Sequence, residues 1–329
     1  MGIIVGGLGG GGDIGLAAVI VEDSGLADSV AAVLSFARCD SRRVPDGLER
    51  VEGALYRVIP DAYLGRRFFE DKLYRITAWA RRVYVVCALD EWGNIVRGLD
   101  WVAENSHVSC MLHTDIGGDG LLTGYEQGLG SYKVDTVAKA ALAHAAEEHG
   151  WRSYVAVGAA GGEGGGGEIS VEDLAATLSL LDQKGAIVGA VVPRRESLVV
   201  ADILLAEADS GMLPLYLHAA RGAVKARIRR AYLRGEYHIE KWYRYIIVLD
   251  TVKACSISPL CRAARDKGVR GISRWKTPGQ RMDEKGARIY FTVKNSIGRR
   301  GRKYAENTIM EILEKHSRVW YNPLLACRN

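Results

Sequence analysis

The chain opens with Ile3-Ile4-Val5 and runs through Gly6-Gly7-Leu8-Gly9-Gly10-Gly11-Gly12-Asp13-Ile14-Gly15 into Leu16-Ala17-Ala18-Val19-Ile20-Val21. The first apolar run has no polar residue to alternate, which suits a strand buried on both faces. The second suits a helix. Between them, so many glycines serve one of two purposes: they permit positive φ, or they let a ligand reach bare backbone. The N–H groups at the start of the helix would face that ligand and favour an anion. The motif predicts a strand, a glycine turn and a helix, with a binding site at the turn.

The rest of the chain repeats this grammar. Strands are predicted at 29–36, 83–89, 108–113, 151–157 and 186–192. Helical spacing falls at 68–79, around 98–105, at 134–149 and at 171–184. Ser170 is placed to cap the last of these helices, with Asp173 completing a capping box. Strand and helix alternating five times or more predict an α/β protein, Rossmann-like, with a mostly parallel, doubly wound sheet. Ligands of such sheets bind beyond the carboxyl ends of the strands. Those ends carry Gly and Asp or Glu repeatedly here.

Charge divides the chain. Residues 1–219 hold 18 Lys/Arg against 30 Asp/Glu, a net of −12, and residues 220–329 hold 26 against 9, a net of +17. We therefore expect an acidic α/β domain at 1–219 carrying the site and a basic α+β region at 220–329, continuous with the same sheet or separate from it. In the basic part a helix-like stretch is predicted at 221–234, strands at 241–250 and 289–293, a basic turn at 298–303 and a last helix to about His316. Gln occurs three times and Asn six times; with abundant Arg and Glu this composition suggests a thermophilic archaeon. No apolar run approaches the roughly 20 residues of a membrane span. The start lacks a basic segment followed by an apolar stretch and a cleavage site. A cytoplasmic protein without membrane contact is expected.

The six cysteines form no C-x-x-C pair, which argues against a zinc ribbon or a thioredoxin-type site. Cys39, Cys87 and Cys110 lie in strand-like runs and read as small buried hydrophobes. In a thermophile, disulfides remain open.

Gly7-x-Gly9-x-x-Gly12 fits the dinucleotide fingerprint in spacing and context. Two features weigh against a nicotinamide cofactor: Asp13 would repel a pyrophosphate, and Asp40, the acid after the second strand, comes late. The alternative is a tight turn with Asp13 as N-cap. Asp115, Asp119 and Glu126 share one glycine-broken loop after a buried strand. Carboxylates so placed can hold Mg²⁺ together with phosphate oxygens, or one can act as general base; the spacing is not that of an EF-hand. A second glycine loop at 158–168 carries Glu163 and Glu168. His113, nearest the expected crevice, reads as a packed strand histidine. No G-x-S-x-G elbow is present. In the basic third, aromatics alternate with the charges, as RNA binding would require, although no known RNA-binding signature appears. Packing of that third against the acidic sheet is the competing reading.

The residues Gly9-Gly10-Gly11-Gly12-Asp13, then Thr114-Asp115-Ile116-Gly117-Gly118-Asp119 with Gly124 and Glu126, then Ser131 and Asp135, resemble the largely archaeal domain-of-unknown-function 1152 family. The likeness covers roughly residues 1–200. The family's later G-x-G-x-D-G-E loop stands here as Gly158-Ala159-Ala160-Gly161-Gly162-Glu163, with glycine where the family has aspartate. The resemblance implies an α/β fold and a small-molecule site, and brings no settled reaction. The expected function is an enzyme on a phosphorylated or nucleotide-like small molecule, a metal-assisted transferase or hydrolase. Gly9, Gly10, Gly11, Gly12, Asp13 and Glu126 would bind it, and Asp115 and Asp119 would act as metal ligands or catalytic groups. The alternative is an RNA- or ribosome-associated protein working through the basic third. A homo-oligomer is left open.

Overall fold

The opening strand and those predicted at 29–36, 83–89, 108–113, 151–157 and 186–192 join one nine-stranded sheet in a computed structural model, which describes residues 2–126, 132–162, 169–230, 233–273, 285–317 and 327. Among these residues the strands are β1 (Gly2–Gly7), β2 (Val30–Ala37), β3 (Leu48–Glu52), β4 (Leu55–Val58), β5 (Val83–Cys87) and β6 (Val108–Ile116). They continue as β7 (Arg152–Gly158), β8 (Ile187–Val191), β9 (Lys225–Arg230), β10 (Leu233–His238) and β11 (Ile246–Asp250). The sheet runs β3-β4-β5-β2-β1-β6-β7-β11-β8. Its middle, β5-β2-β1-β6-β7, is parallel; β4 and β11 run against their neighbours. Ile3, Ile4 and Val5 are fully buried, as an unalternated apolar strand at the sheet's centre must be.

The helices are α1 (Gly12–Ser24), α2 (Glu70–Ile76), α3 (Trp92–Ser106), α4 (Lys133–His149), α5 (Val171–Gln183) and α6 (Val199–Glu207). After them come α7 (Met212–Ala220), α8 (Thr251–Ser256), α9 (Pro259–Lys267), α10 (Val269–Ile272), α11 (Lys285–Arg300) and α12 (Arg302–Ser317). Ser170 caps α5 by accepting the Asp173 amide at 3.0 Å, and its hydroxyl in turn donates to Asp173 Oδ2 at 2.9 Å. α1 packs with α6 and α7, whereas α4 packs with α3, α8 and α9. Helices thus form two groups on a large, mostly parallel sheet, an α/β architecture.

Topology fixes the place of the site. From β1 the chain crosses by α1 to β2 on one side. From β6 it crosses by α4 to β7 on the other. Between β1 and β6 the two connections therefore diverge, leaving a crevice at the carboxyl ends of the strands. Gly7 lies in register with Thr114, so the two strands end level.

Two expectations fail in the basic part. Residues 225–230 form a strand of a separate two-stranded hairpin, not a helix. Alternation decides it: Lys225, Arg227 and Arg229 are exposed while Ala226 and Ile228 are buried. Residues 289–293 lie inside α11, although Ile, Phe, Thr and Val favour strands. Ala287, Tyr290 and Ile297 are buried at helical spacing, and this packing overrides the local preference. The strand predicted at 241–250 divides into a 3₁₀ turn at Lys241–Arg244 and β11.

β11 comes from the basic part yet sits between β7 and β8. α11 and α12 pack on α5, and basic groups meet the acids of that helix. Lys294 lies 2.6 Å from Asp173, and Lys315 and His316 lie 2.8 and 2.7 Å from Asp182. Trp242, Tyr243, Tyr245 and Tyr290 are buried. Trp275 and Tyr232 lie outside the described residues. The cysteines pair as Cys39–Cys87, Cys110–Cys327 and Cys255–Cys261, all buried. Among the described residues, no helix is long and apolar enough to cross a membrane.

Candidate functional site

The glycine turn has two faces. Toward solvent it floors a cavity of about 380 Å³; toward the interior it meets a group of aspartates.

Gly10 and Gly11 take φ of +75° and +60°, values that a side chain makes costly. This geometry lets the chain leave β1 and enter α1 directly, with Gly11 at the N-cap. The amide of Gly9 donates to Asp13 Oδ2 at 2.8 Å. The amides of Gly10, Gly11 and Gly12 have no protein acceptor among the described residues. All four glycines line the cavity, so three free N–H groups at a helix N-terminus border it.

Arg38 and Arg43, after β2, and Arg67, before α2, line the same cavity. None of the three forms an ion pair among the described residues. The loop carrying Arg67 is braced from below. Buried Lys72 pairs with Asp71 at 2.8 Å and donates to the Gly65 carbonyl, while Asp71 accepts the Leu64 amide. Glu70, also buried, accepts the Ser35 hydroxyl at 2.7 Å and the Phe69 amide at 2.9 Å. Asp209 and Ser210, in the turn between α6 and α7, close the far wall. A cavity of this size lies in the range of small-molecule sites. Free amides with unpaired guanidinium groups give it anionic preference.

On the inner face, Asp13 is the second residue of α1, not its cap. Its carboxylate accepts from Gly9 and, through Oδ1, from the Ile116 amide at 3.1 Å, tying the turn to the end of β6. Thr114 reinforces the tie by donating its hydroxyl to the Asp13 and Gly6 carbonyls at 2.5 and 3.0 Å. Asp115 Oδ2 accepts from the amides of Gly118 and Gly120 at 3.2 and 2.8 Å. Asp135 enters from the first turn of α4. One ligand atom from each of Asp13, Asp115 and Asp135 lies within 4.8 Å of the others. Asp119, in the 3₁₀ turn after β6, is buried nearby and its charge acts on both Asp13 and Asp135, but it is not one of the three.

Burial first, then the charge of Asp115, holds the Asp13 carboxyl well above the usual carboxylate range; the Gly9 and Ile116 amides pull it back in part. Burial, then Asp115, Asp119 and Asp13, raise Asp135 likewise. Lys139 is the cation beside them. Its ammonium donates to the Gly120 and Leu122 carbonyls, both at 2.8 Å, and burial draws its pKa down to about 8 against the pull of the surrounding acids.

Of the expected site residues, Gly9–Gly12, Asp13, Asp115 and Asp119 therefore gather at the turn. Glu126 stands apart. It is fully buried, and its two oxygens accept the amides of Thr123 and Gly124 and the hydroxyls of Thr123 and Thr177. His113 is buried in the sheet with its ring 6.0 Å from Phe36, and burial lowers its pKa to about 3. Asp40 accepts from Arg42 and does not line the cavity. Ser131, Glu163 and Glu168 lie outside the described residues. The arginines, Ser210 and the part of Asp135 were not foreseen. Arg38 and Arg43 follow a predicted strand end and could have been noticed there; Arg67 and Ser210 carry no local signal.

No curated protein and no solved structure matches the chain. A family model described as a protein of unknown function, DUF1152, matches residues 4–273, from within β1 to just past α10. That span holds the glycine turn, the aspartates and the arginines together, and the chain belongs to the DUF1152 family.

Proposed function

We propose that the chain is a Rossmann-like, cytoplasmic enzyme whose substrate is a phosphorylated or nucleotide-like small molecule bound in the glycine cavity. One observation carries the reading: the free amides of Gly10, Gly11 and Gly12 and the unpaired Arg38, Arg43 and Arg67 border the same cavity of about 380 Å³. A phosphoryl group at the N-terminus of α1 would accept from the amides, and the guanidinium groups would neutralise its charge. Asp13 and Asp135, buried behind Gly9, are acidic groups whose proton affinity is raised by their surroundings, as a transferase or hydrolase needs beside a phosphate. In this reading Asp115 and Asp119 orient or activate the attacking group.

The test is thermal stabilisation by ATP, ADP, sugar phosphates and pyrophosphate. A ligand at 100 times its dissociation constant should add about 2.7 kcal/mol. Arg43→Ala and Arg67→Ala, at exposed positions, should keep the fold and lose most of that gain. If no phosphorylated compound stabilises the wild-type chain, the reading fails.

RNA binding by the basic third is the second reading. It is favoured by the β9–β10 hairpin, where Arg229 stands directly opposite Arg234 with no ion pair to either among the described residues.

A further inference from the structure

The aspartate group has a deficit of positive charge. Asp13, Asp115, Asp119 and Asp135 are all buried, and Lys139 is a buried cation whose field reaches Asp115, Asp119 and Asp135. That ammonium already serves two backbone carbonyls. Isolated buried carboxylates are costly, and they are relieved by protonation or by a bound cation.

Two observations select the cation. The carboxyl of Asp135 is more than nine-tenths buried and, among the described residues, accepts only from its own backbone amide, while one of its oxygens lies within 4.8 Å of oxygens of Asp13 and Asp115. A buried carboxylate with so few donors has room for a further partner. The second is the missing side chain at Gly9. A Cβ there would stand 3.0 Å from Asp13 Oδ2 and 3.0 Å from Asp135 Oδ1. The space between the two carboxylates is kept open by glycine, and the same residue lines the cavity on its other side.

We propose that Asp13, Asp115 and Asp135 hold one hard divalent cation of the Mg²⁺, Mn²⁺ or Ca²⁺ class. The donors are all oxygens, which suit such ions and not zinc or copper. Opposite oxygens around Ca²⁺ are about 4.6–5.2 Å apart and around Mg²⁺ about 4.0–4.2 Å. The three ligand atoms lie within 4.8 Å of one another, inside the diameter of a Ca²⁺ oxygen shell. Asp119 acts on the ion through its charge, outside direct ligation. The ion would lie behind Gly9, where it could also bind an oxygen of a ligand in the cavity. This inference deepens the phosphate reading by naming the donors of the same site, but the ion alone tests it.

Mn²⁺ is titrated into the chelator-treated full chain without any phosphorylated compound, with free Mn²⁺ read by electron paramagnetic resonance. One Mn²⁺ should bind per chain, and Mg²⁺ or Ca²⁺ should displace it. Asp135→Asn should weaken binding by more than the roughly 10–100-fold that losing an outer-shell partner costs. In chelator the same variant should melt no lower than wild type, because a buried repulsion is relieved. Gly9→Ala retains every acid and should also weaken Mn²⁺, by placing a methyl group between two ligands. If the wild type binds no stoichiometric Mn²⁺, or if Gly9→Ala binds it as the wild type does, the inference is overturned. Should Mn²⁺ bind while no phosphorylated compound does, the cation site stands and the substrate reading falls. The reverse pattern would remove the cation and leave the substrate.

Discussion

The hydroxyl of Thr177 donates to Oε1 of Glu126 at 2.7 Å, joining α5 to the loop that follows β6 across 51 residues of chain. Glu126 also accepts from Thr123 and Gly124, so its carboxylate is the node on which that loop is wound. Glu126→Ala would leave these donors buried without an acceptor. It should lower unfolding free energy by about 3–5 kcal/mol. Thr177→Val, which removes a single donor, should cost about 1 kcal/mol. Urea denaturation of the two variants measures both, and equal small losses would deny Glu126 this structural part.

His113 gives the stability curve a sign on the acid side. Its folded pKa, about 3, lies below its ordinary 6.5 because the ring is buried. Neither ring nitrogen makes a hydrogen bond of good geometry among the described residues, though the Leu34 carbonyl favours the charged form slightly. The unfolded chain therefore binds a proton that the folded chain refuses. Its contribution is intact above pH 6.5 and is lost as pH falls toward 3, at roughly 1.4 kcal/mol per pH unit. Asp13 and Asp135 act oppositely: their pKa values are raised, so their stabilising contribution is present at low pH and is lost as pH rises. Comparing wild type with His113→Phe between pH 6.5 and 5 isolates the histidine. The variant should lose less stability over that interval; parallel curves would contradict the assignment.

Cys39 lines the glycine cavity and is bonded to Cys87 at the end of β5. The bond closes a loop of 48 residues, worth up to about 4 kcal/mol by chain entropy. Reduction should lower the melting temperature. The Cys39→Ala, Cys87→Ala double variant should melt below the oxidised wild type and show a smaller response to reductant than wild type does. An unchanged melting temperature on reduction would count against the bond.

Arg229 and Arg234 oppose each other on the hairpin, and like charges in directly opposed positions destabilise a strand pair. Arg234→Glu should stabilise the hairpin by about 0.2–1 kcal/mol. If RNA is the partner, the same substitution should weaken a salt-dependent gel shift. Proteolysis of the hairpin and the gel shift report these separately, and a gain in hairpin stability with undiminished RNA binding would place any RNA elsewhere.

Much of this molecule is legible in its residues. Uninterrupted apolar runs such as Ile3-Ile4-Val5 specify central strands, because only burial on both faces suits them. Glycines at positive φ specify the turn after β1, and the acids at strand ends follow from where α/β sheets place their crevices. Sequence separation hid the remainder. Residues 289–293 carry strand-forming side chains but are helical, since Tyr290 gains more from packing beside α5 than β preference supplies. Asp135 reads as an ordinary helix-start acid until α4 brings it to Asp13, 122 positions earlier, and Arg67 and Ser210 acquire a role only when their loops close over Gly10–Gly12. Local order is set by backbone sterics and hydrophobic period, which act between neighbours along the chain. Which charges share a cavity is set by how the sheet is crossed, and that depends on the packing of the whole fold.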